Sequence, residues 1–463
     1  MALGLTIQEI IECGEFPLLV VHDTWQRVLL DDVATVQNGY AFSSDGFTKS
    51  NGMPLIRIRD INRSITQDYF NGKYPDEYVV NAGDILIGMD GDFNIARWKG
   101  ERALLNQRVC RLKHSSEFYC EKFLVFVLPS FLNAINAKTS SVTVKHLSSK
   151  TITEIQLPLP PLAEQHRIVS KIEELFSELD NGVETLNKAK QQLKIYRQAV
   201  LKYAFEGKLT NPDVKEGELP EGWDVRTVAD VTESLSQGWS PKCDNKSSAN
   251  ESEWAVITTT AIQHIKFSDK ENKVLPKHLE PRTQHELVDG DVLITRAGPR
   301  NRVGVCCLVK EPRKRLLNCD KAYRIKVKRD RVLPSYLVQV LNTSEFLGLI
   351  DKCKSGGNDS GLNLTQTVFS SIRILIPRKL SEQEIILGEI ESRLSVCDKI
   401  EESIDQGLKQ AEALRQSILK RAFEGKLVPQ DVRDENASIL LERIKAERAE
   451  SQPQKKIKAK KNK

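Results

Sequence analysis

The chain has 463 residues, 40% apolar and 28% charged, with a formal net charge of +5. That balance is globular rather than disordered, and the length holds two or three domains with ordinary cores. The opening MALGLTIQEIIECGEF has no basic leader, and the longest apolar run, Phe123 to Ile135, is broken by Pro129 and too short for a bilayer, so nothing points to export or a membrane. Nine cysteines at irregular spacing, with no Cys-x-x-Cys and one vicinal pair at Cys306 and Cys307, fit a reduced, cytoplasmic protein without a metal site.

Residues 1–20 form an N-terminal extension, and 21–157 read as a first globular domain of mixed α and β content. In MPLIRIRDINR, strand alternation sets Leu55, Arg57 and Arg59 on one face and Ile56, Ile58 and Asp60 on the other, so two arginines project together and Arg63 follows. Arginine suits phosphates and guanine edges alike. Arg97 opens a basic stretch to Lys113 with six Lys/Arg against one acid. The small-polar loop KTSSVTVKH then offers Lys145 and His146 to a phosphate.

From 158 to 212 the pattern becomes helical. Apolar or small residues fall at 3-4 spacing through Ile168, Ile172, Leu175, Leu179, Leu186, Ala189, Leu193, Tyr196 and Val200, which predicts a coiled-coil helix that Gly207 and Pro212 end. A second globular interval, 213–377, carries TRAGPRNR, with Arg296, Arg300 and Arg302 on a Gly/Pro loop after a strand. It also carries KSGGNDSGLN, with Lys354 and Asn358. Between Arg296 and Arg331 there are 13 Lys/Arg and three acids. A second helix, 378–430, has its seam at Ile390, Leu394, Ile400, Ile404 and Leu414. The remainder, 431–463, is predicted to hold one short helix and a basic tail with six lysines from Lys455 onward.

The two helices are copies. Leu162 to Leu209 returns as Leu380 to Leu427 with 20 of 48 positions identical, LAEQ becoming LSEQ and RQAVLKYAFEGKL becoming RQSILKRAFEGKL. The globular intervals correspond faintly: Gly83-Asp84-Ile85-Leu86-Ile87 matches Gly290-Asp291-Val292-Leu293-Ile294, and Trp25 matches Trp223. Their offsets differ from that of the helices, so loop lengths vary while helix length does not. Charge is sorted too, because Leu162 to Leu186 holds six acids and two bases, and Ser381 to Asp405 eight and two. Basic domains and acidic helices imply that the domains meet a polyanion.

Catalytic motifs are missing from the pattern. Gly207-Lys208 and Gly425-Lys426 are helix stops rather than Walker loops, the seven histidines are scattered, and Gly88 to Asp92 reads as a turn rather than a metal site. The chain is therefore expected to bind rather than to catalyse.

On PLPPLAEQHRIVSKIEELFSELD, RQAVLKYAFEGKLT, their second copies and ASILLERIKAERAE, the chain resembles the specificity subunit of type I DNA restriction-modification enzymes. The resemblance runs the whole length in order: recognition domain, spacer helix, recognition domain, spacer helix. It implies an α+β fold, pseudo-two-fold symmetric, whose helices pair as an antiparallel intramolecular coiled coil acting as a ruler. It also implies recognition of a bipartite, asymmetric duplex DNA target. Two methylation subunits would dock through the helical regions, where Arg197, Gln198 and Phe205 repeat as Arg415, Gln416 and Phe423, and restriction subunits would join that core. Those partners would use S-adenosylmethionine, ATP and magnesium, flipping out the adenine that they methylate, while this chain holds no cofactor. The second helix enters through Arg378-Lys379 where the first has Pro160-Pro161, a departure in the motif. The competing readings are a coiled-coil scaffold binding nucleic acid nonspecifically and a standalone DNA methyltransferase. Equal-length repeats within one chain favour internal pairing over the scaffold.

Overall fold

The computed structural model describes residues 5–139, 145–215, 217–248 and 250–451. The chain is α+β and divides into two compact units, Met1–Thr185 with Gly407–Lys463, and Leu186–Gln406. The described residues up to Thr185 and from Gly407 therefore share the first unit.

In the first unit Gln26–Leu29 pairs antiparallel with Gln156–Leu159. A four-stranded antiparallel sheet follows in the order Ala34–Asn38, Val109–His114, Ile85–Gly88, Ile95–Arg97. Ile85–Gly88 is buried along its length, as a central strand covered on both faces must be. A smaller five-stranded sheet has its own aromatic core around Phe42, Leu55, Phe70 and Leu104. The apolar run from Phe123 to Ile135 lies within one helix, Glu121–Lys138, that continues through Pro129 and supplies much of the main core.

The second unit repeats this plan. Trp223–Thr227 pairs with Arg373–Pro377, and the four-stranded order is Thr232–Gln237, Ala322–Val327, Val292–Thr295, Cys306–Leu308. A three-stranded sheet replaces the five-stranded one, and helices Pro334–Leu341 and Ser344–Cys353 replace the helix Glu121–Lys138 of the first unit. The Cys306 and Cys307 thiols are both buried and free, and burial pushes the Cys307 thiol up to about 12.

The repeated helices run Leu162–Phe205 and Leu380–Phe423, 44 residues each. Their copied first turns have one purpose. Glu164 accepts from the Trp25 indole at 3.1 Å and Glu382 from the Trp223 indole at 2.8 Å. Gln165 accepts from the Cys120 amide at 2.7 Å and donates to the Pro160 carbonyl at 2.9 Å. Gln383 accepts from the Leu333 amide at 2.9 Å and donates to the Pro377 carbonyl at 3.0 Å. Each LxEQ turn thus pins a long helix to its own domain through Glu164, Gln165 and Gln383, which are buried, and Glu382, which is half-buried, and the Arg378-Lys379 entry preserves those bonds. Gly207 (φ 76°) and Gly425 (φ 67°) close the helices in the left-handed region, where the next amide reaches back to the carbonyl of Tyr203 or Arg421.

Glu164 is almost wholly buried, and burial raises its pKa against the opposing Trp25 hydrogen bond. Because the folded value lies above the unfolded one, the ionised carboxylate costs stability at neutral pH. That cost fades as pH falls through the folded value, and it is gone below the unfolded value of about 4.3. Glu164→Gln keeps the acceptor for Trp25 and should raise the thermal midpoint of the first unit at pH 7 but not at pH 4, a difference read by calorimetry at the two pH values.

Within the second unit, Lys190 pairs with Asp405 at 2.6 Å, and Arg197 pairs with Asp398 at 2.7 Å and Glu401 at 3.1 Å. Ascending numbers on one helix meet descending numbers on the other, so the two segments run antiparallel. In the first unit Arg415 pairs with Asp180 and lies 4.2 Å above the Phe176 ring. Of the expected seam, Ile172, Leu193, Ile390 and Ile404 are buried, while Leu175, Leu179, Leu186 and Leu394 are half-buried. Ile400 and Leu414 correct the expectation, being 44% and 51% exposed. A 3.6-residue helix drifts off a strict heptad by about 20° per repeat, and Ile172 and Ile390 are drawn into the globular cores instead.

Candidate nucleic-acid interface

In the first domain the strand ends at Ile56, and Ile58–Asp60 forms a 3-10 turn in which the Asp60 carboxylate accepts from the Arg57 amide at 2.9 Å. The expected alternation of Arg57 and Arg59 along a strand is therefore corrected. The two arginines still converge, because both reach one carboxylate. Asp68, buried, meets Lys49 Nζ at 2.5 Å, Arg57 Nε at 2.5 Å and Arg59 Nη2 at 2.6 Å. The Lys49 hydrogen bond and the field of Arg57, Lys49 and Arg59 outweigh burial and hold Asp68 below the usual carboxylate range. Arg59 also lies 3.8 Å from the Asp60 carboxylate, so three cations stand against two anions and leave the cluster cationic by one, and the Lys49 and Arg59 side chains face water. Arg63 is exposed on the following turn. Sequence reading missed Lys49 and Asp68, since no local pattern joins residues that far from Arg57.

Other expected contacts are engaged within the protein. Arg97 donates to the Gly83 carbonyl at 2.8 Å and pairs with Glu121 at 3.0 Å, tying a sheet edge to a helix. Lys145 donates to the Asn136 carbonyl at 2.7 Å, and His146 Nδ1 sits 2.6 Å from Asp90. The Ser140 to Val144 part of that loop lies outside the described residues. Asp90 is thereby the anchor of a turn, and no three His, Cys, Asp or Glu cluster as a metal site among the described residues.

In the second domain the two expected loops come together. Ala297–Gly298 pairs with Leu362–Asn363, Arg300 bridges Asp351 at 2.9 Å and Asp359 at 3.0 Å, and Lys354 donates to the Arg300 carbonyl at 2.7 Å. Arg296 donates to the Asp320 carbonyl at 3.0 Å and lies 5.5 Å above the Tyr323 ring. Arg302 donates to the Ile262 carbonyl at 2.6 Å. Asn358 is exposed and accepts from Ser360 at 2.9 Å. Counts of basic residues overstate the free surface charge, because Arg111, Arg313 and Arg324 are also buried.

On the helices, Gln198 and Gln416 are exposed. Phe205 and Phe423 are each buried in their unit's core, against Tyr336 at 5.4 Å and Phe123 at 6.3 Å. Arg197 and Arg415 face acids of the neighbouring long helix, as described above. Gln198 borders a groove of about 1130 Å³ with Ile195, Lys202, Leu219 and Val225. Gln416, its repeat, borders a smaller one of about 330 Å³ partly walled by Phe16, Pro17 and Leu18 of the N-terminal extension. No helix among the described residues is long and apolar enough to cross a membrane.

Residues 22–194 match the family model described as the type I restriction modification DNA specificity domain. The chain is 35% identical to the EcoBI type I restriction enzyme specificity subunit of Escherichia coli, with 97% of this chain and 98% of that one covered. It is 26% identical to the EcoKI specificity subunit of E. coli strain K12, over 92% and 96%. Among solved structures, one from a study of assembly and conformational transition in the type I R-M system shares the fold at TM-score 0.65 and 18% identity, over 88% of this chain and 100% of that one. The HsdS subunit of Thermoanaerobacter tengcongensis gives 0.51 at 17% identity, over 88% and 98%.

Proposed function

The chain belongs to the type I restriction-modification specificity subunits, a non-catalytic DNA-recognition family, and we propose that it reads a bipartite, asymmetric duplex target with one domain for each half. The observation that carries this reading is the repeat itself: two units of one plan, with identical helix lengths and different loops. Similar scaffolds with different loops suit two different half-targets. In this reading the paired helices set the gap, and two methylation subunits dock beside Gln198 and Gln416. Restriction subunits act through that core in the cytoplasm. S-adenosylmethionine, ATP and magnesium serve those partners, which methylate adenine and cleave unmethylated DNA.

Methylome sequencing of cells carrying this chain with its methylation partner tests the proposal. One bipartite motif is expected; methyl transfer by the chain alone, or an uninterrupted motif, overturns it. The ruler has its own prediction. Removing one matched heptad from both helices shortens them by about 10 Å, or roughly three base pairs. The gap between half-targets should shrink accordingly with each half unchanged, and altered bases at an unaltered gap would sink the idea.

A further inference from the structure

The two domains share one surface device that their differing loops do not hide. The first strand of each four-stranded sheet is followed at once by a glycine and an aromatic residue, Gly39-Tyr40 and Gly238-Trp239. A Cβ at either glycine would run into a backbone carbonyl, that of Asn106 or Asn318. The close approach lets the Tyr40 amide donate to the Leu105 carbonyl at 2.9 Å and the Trp239 amide to the Asn318 carbonyl at 3.0 Å. Each aromatic residue is thereby fixed by backbone bonds to the neighbouring segment.

Beside each aromatic residue lies a 3-10 turn, Asp76–Tyr78 or Thr283–His285, held from beneath by a buried arginine. Arg111 pairs with Asp84 at 2.8 Å and donates to the Glu77 carbonyl at 2.6 Å. Arg324 lies 2.8 Å from Asp291 and donates to the Gln284 carbonyl at 3.3 Å. These acids are the aspartates of the repeated Gly-Asp-Ile-Leu-Ile and Gly-Asp-Val-Leu-Ile strands, so that faint sequence match has a structural role.

The turns carry different groups to the aromatic plate. In the first domain Tyr78 packs on Tyr40 at 5.0 Å, and Tyr40 is 41% exposed. In the second, Arg282 lies over the Trp239 ring at 4.5 Å, exposed and without a carboxylate partner among the described residues. An indole face holds a guanidinium flat and leaves its N–H edge free for acceptors, which a flexible ammonium does not reproduce.

Building on the DNA-reading function above, we propose that this paired site contacts the target duplex in both domains, with Arg282 on its Trp239 plate a specificity-determining residue of the second half and Tyr40 its counterpart in the first. Arg282 offers its fork to the acceptors of a base edge in the major groove. Tyr40 offers a hydroxyl that donates and accepts, beside a ring face. Differences between the two plates then give different half-targets on one scaffold.

The test uses the full chain with its methylation partner and a duplex library in which one half-target is randomised at a time. Wild-type methylation of a bipartite site is the control, and its absence would count against the DNA-reading function rather than this site. Given that control, Arg282→Ala should lower methylation through the second half by roughly 10-fold to 100-fold and relax the preferred base at one position. Arg282→Lys should recover part of the rate and not the base preference. Tyr40→Phe should alter the first half alone. A uniform loss across all second-half sequences with a shallower salt slope would mark a phosphate contact and overturn the base-reading role. Arg282→Ala that methylates the library as wild type does, or that weakens both halves with a lowered thermal midpoint, overturns the site.

Discussion

Leucine in place of Gln383 should lower the unfolding midpoint of the second unit while the first unit's stays where it is. Gln383 has no exposed surface, and its side chain closes three backbone bonds at once: it accepts from the Leu333 amide at 2.9 Å and donates to the carbonyls of Arg331 at 2.9 Å and Pro377 at 3.0 Å. Leucine has a similar volume, so packing is nearly kept and the loss is polar. Each buried group left unpaired costs about 1–3 kcal/mol, which puts the total at roughly 3–6 kcal/mol after local relaxation. That is a large share of the stability of an ordinary domain, about 5–15 kcal/mol. Hydrogen exchange locates the effect: amides of Pro334–Leu341 and Arg373–Pro377 should exchange faster, and those of Glu121–Lys138 should not. Equal acceleration in both helices would refute a local joint. Gln165→Leu is the mirror experiment, with two backbone groups lost instead of three.

That glutamine shows what the sequence makes legible. The repeat announces Gln165 and Gln383 as a pair, and their partners are backbone groups of a domain that no sequence pattern connects to them. Helix ends are readable because Gly207 and Gly425 act within their own turn. Strand alternation misled at Arg57 and Arg59 because the Asp60 carboxylate, three residues on, caps a turn that ends the strand. Basic clusters misled for a different reason. Arg111, Arg302 and Arg324 look like surface charge until Asp84, the Ile262 carbonyl and Asp291 are brought beside them by the sheets. The Gly-aromatic pair was hidden because the domains differ in loop length, so its offset matches neither the helices nor the Gly-Asp strands.

Ending the chain at Gln430 should unfold the first unit selectively, although the first domain's own residues would be untouched. The helix Ala437–Ser451 sends Ala437, Leu440 and Ile444 into the first unit's neighbourhood, with Leu440 and Ile444 in its main core at 1% and 0% exposure. Polar ties accompany them: Arg448 pairs with Asp31 and Asp32, Glu447 accepts from Ser116 at 2.6 Å, and Asp434 pairs with Arg167 at 2.6 Å. Burying a leucine or isoleucine side chain contributes about 1.5–3 kcal/mol. Two such side chains, with the surface they cover and Asp434 lost opposite Arg167, amount to roughly 4–8 kcal/mol, enough to leave the first unit marginal at 37 °C. Calorimetry of the truncated chain should show one transition displaced and one retained, with proteolysis cutting first within residues 21–157. Two transitions that move together would mean that the helix supports the whole chain, and none moving would mean that its burial contributes little. In the complex with the methylation partner, the same truncation should spare recognition through the second domain and abolish it through the first, because the first domain's core is completed by the helix Ala437–Ser451.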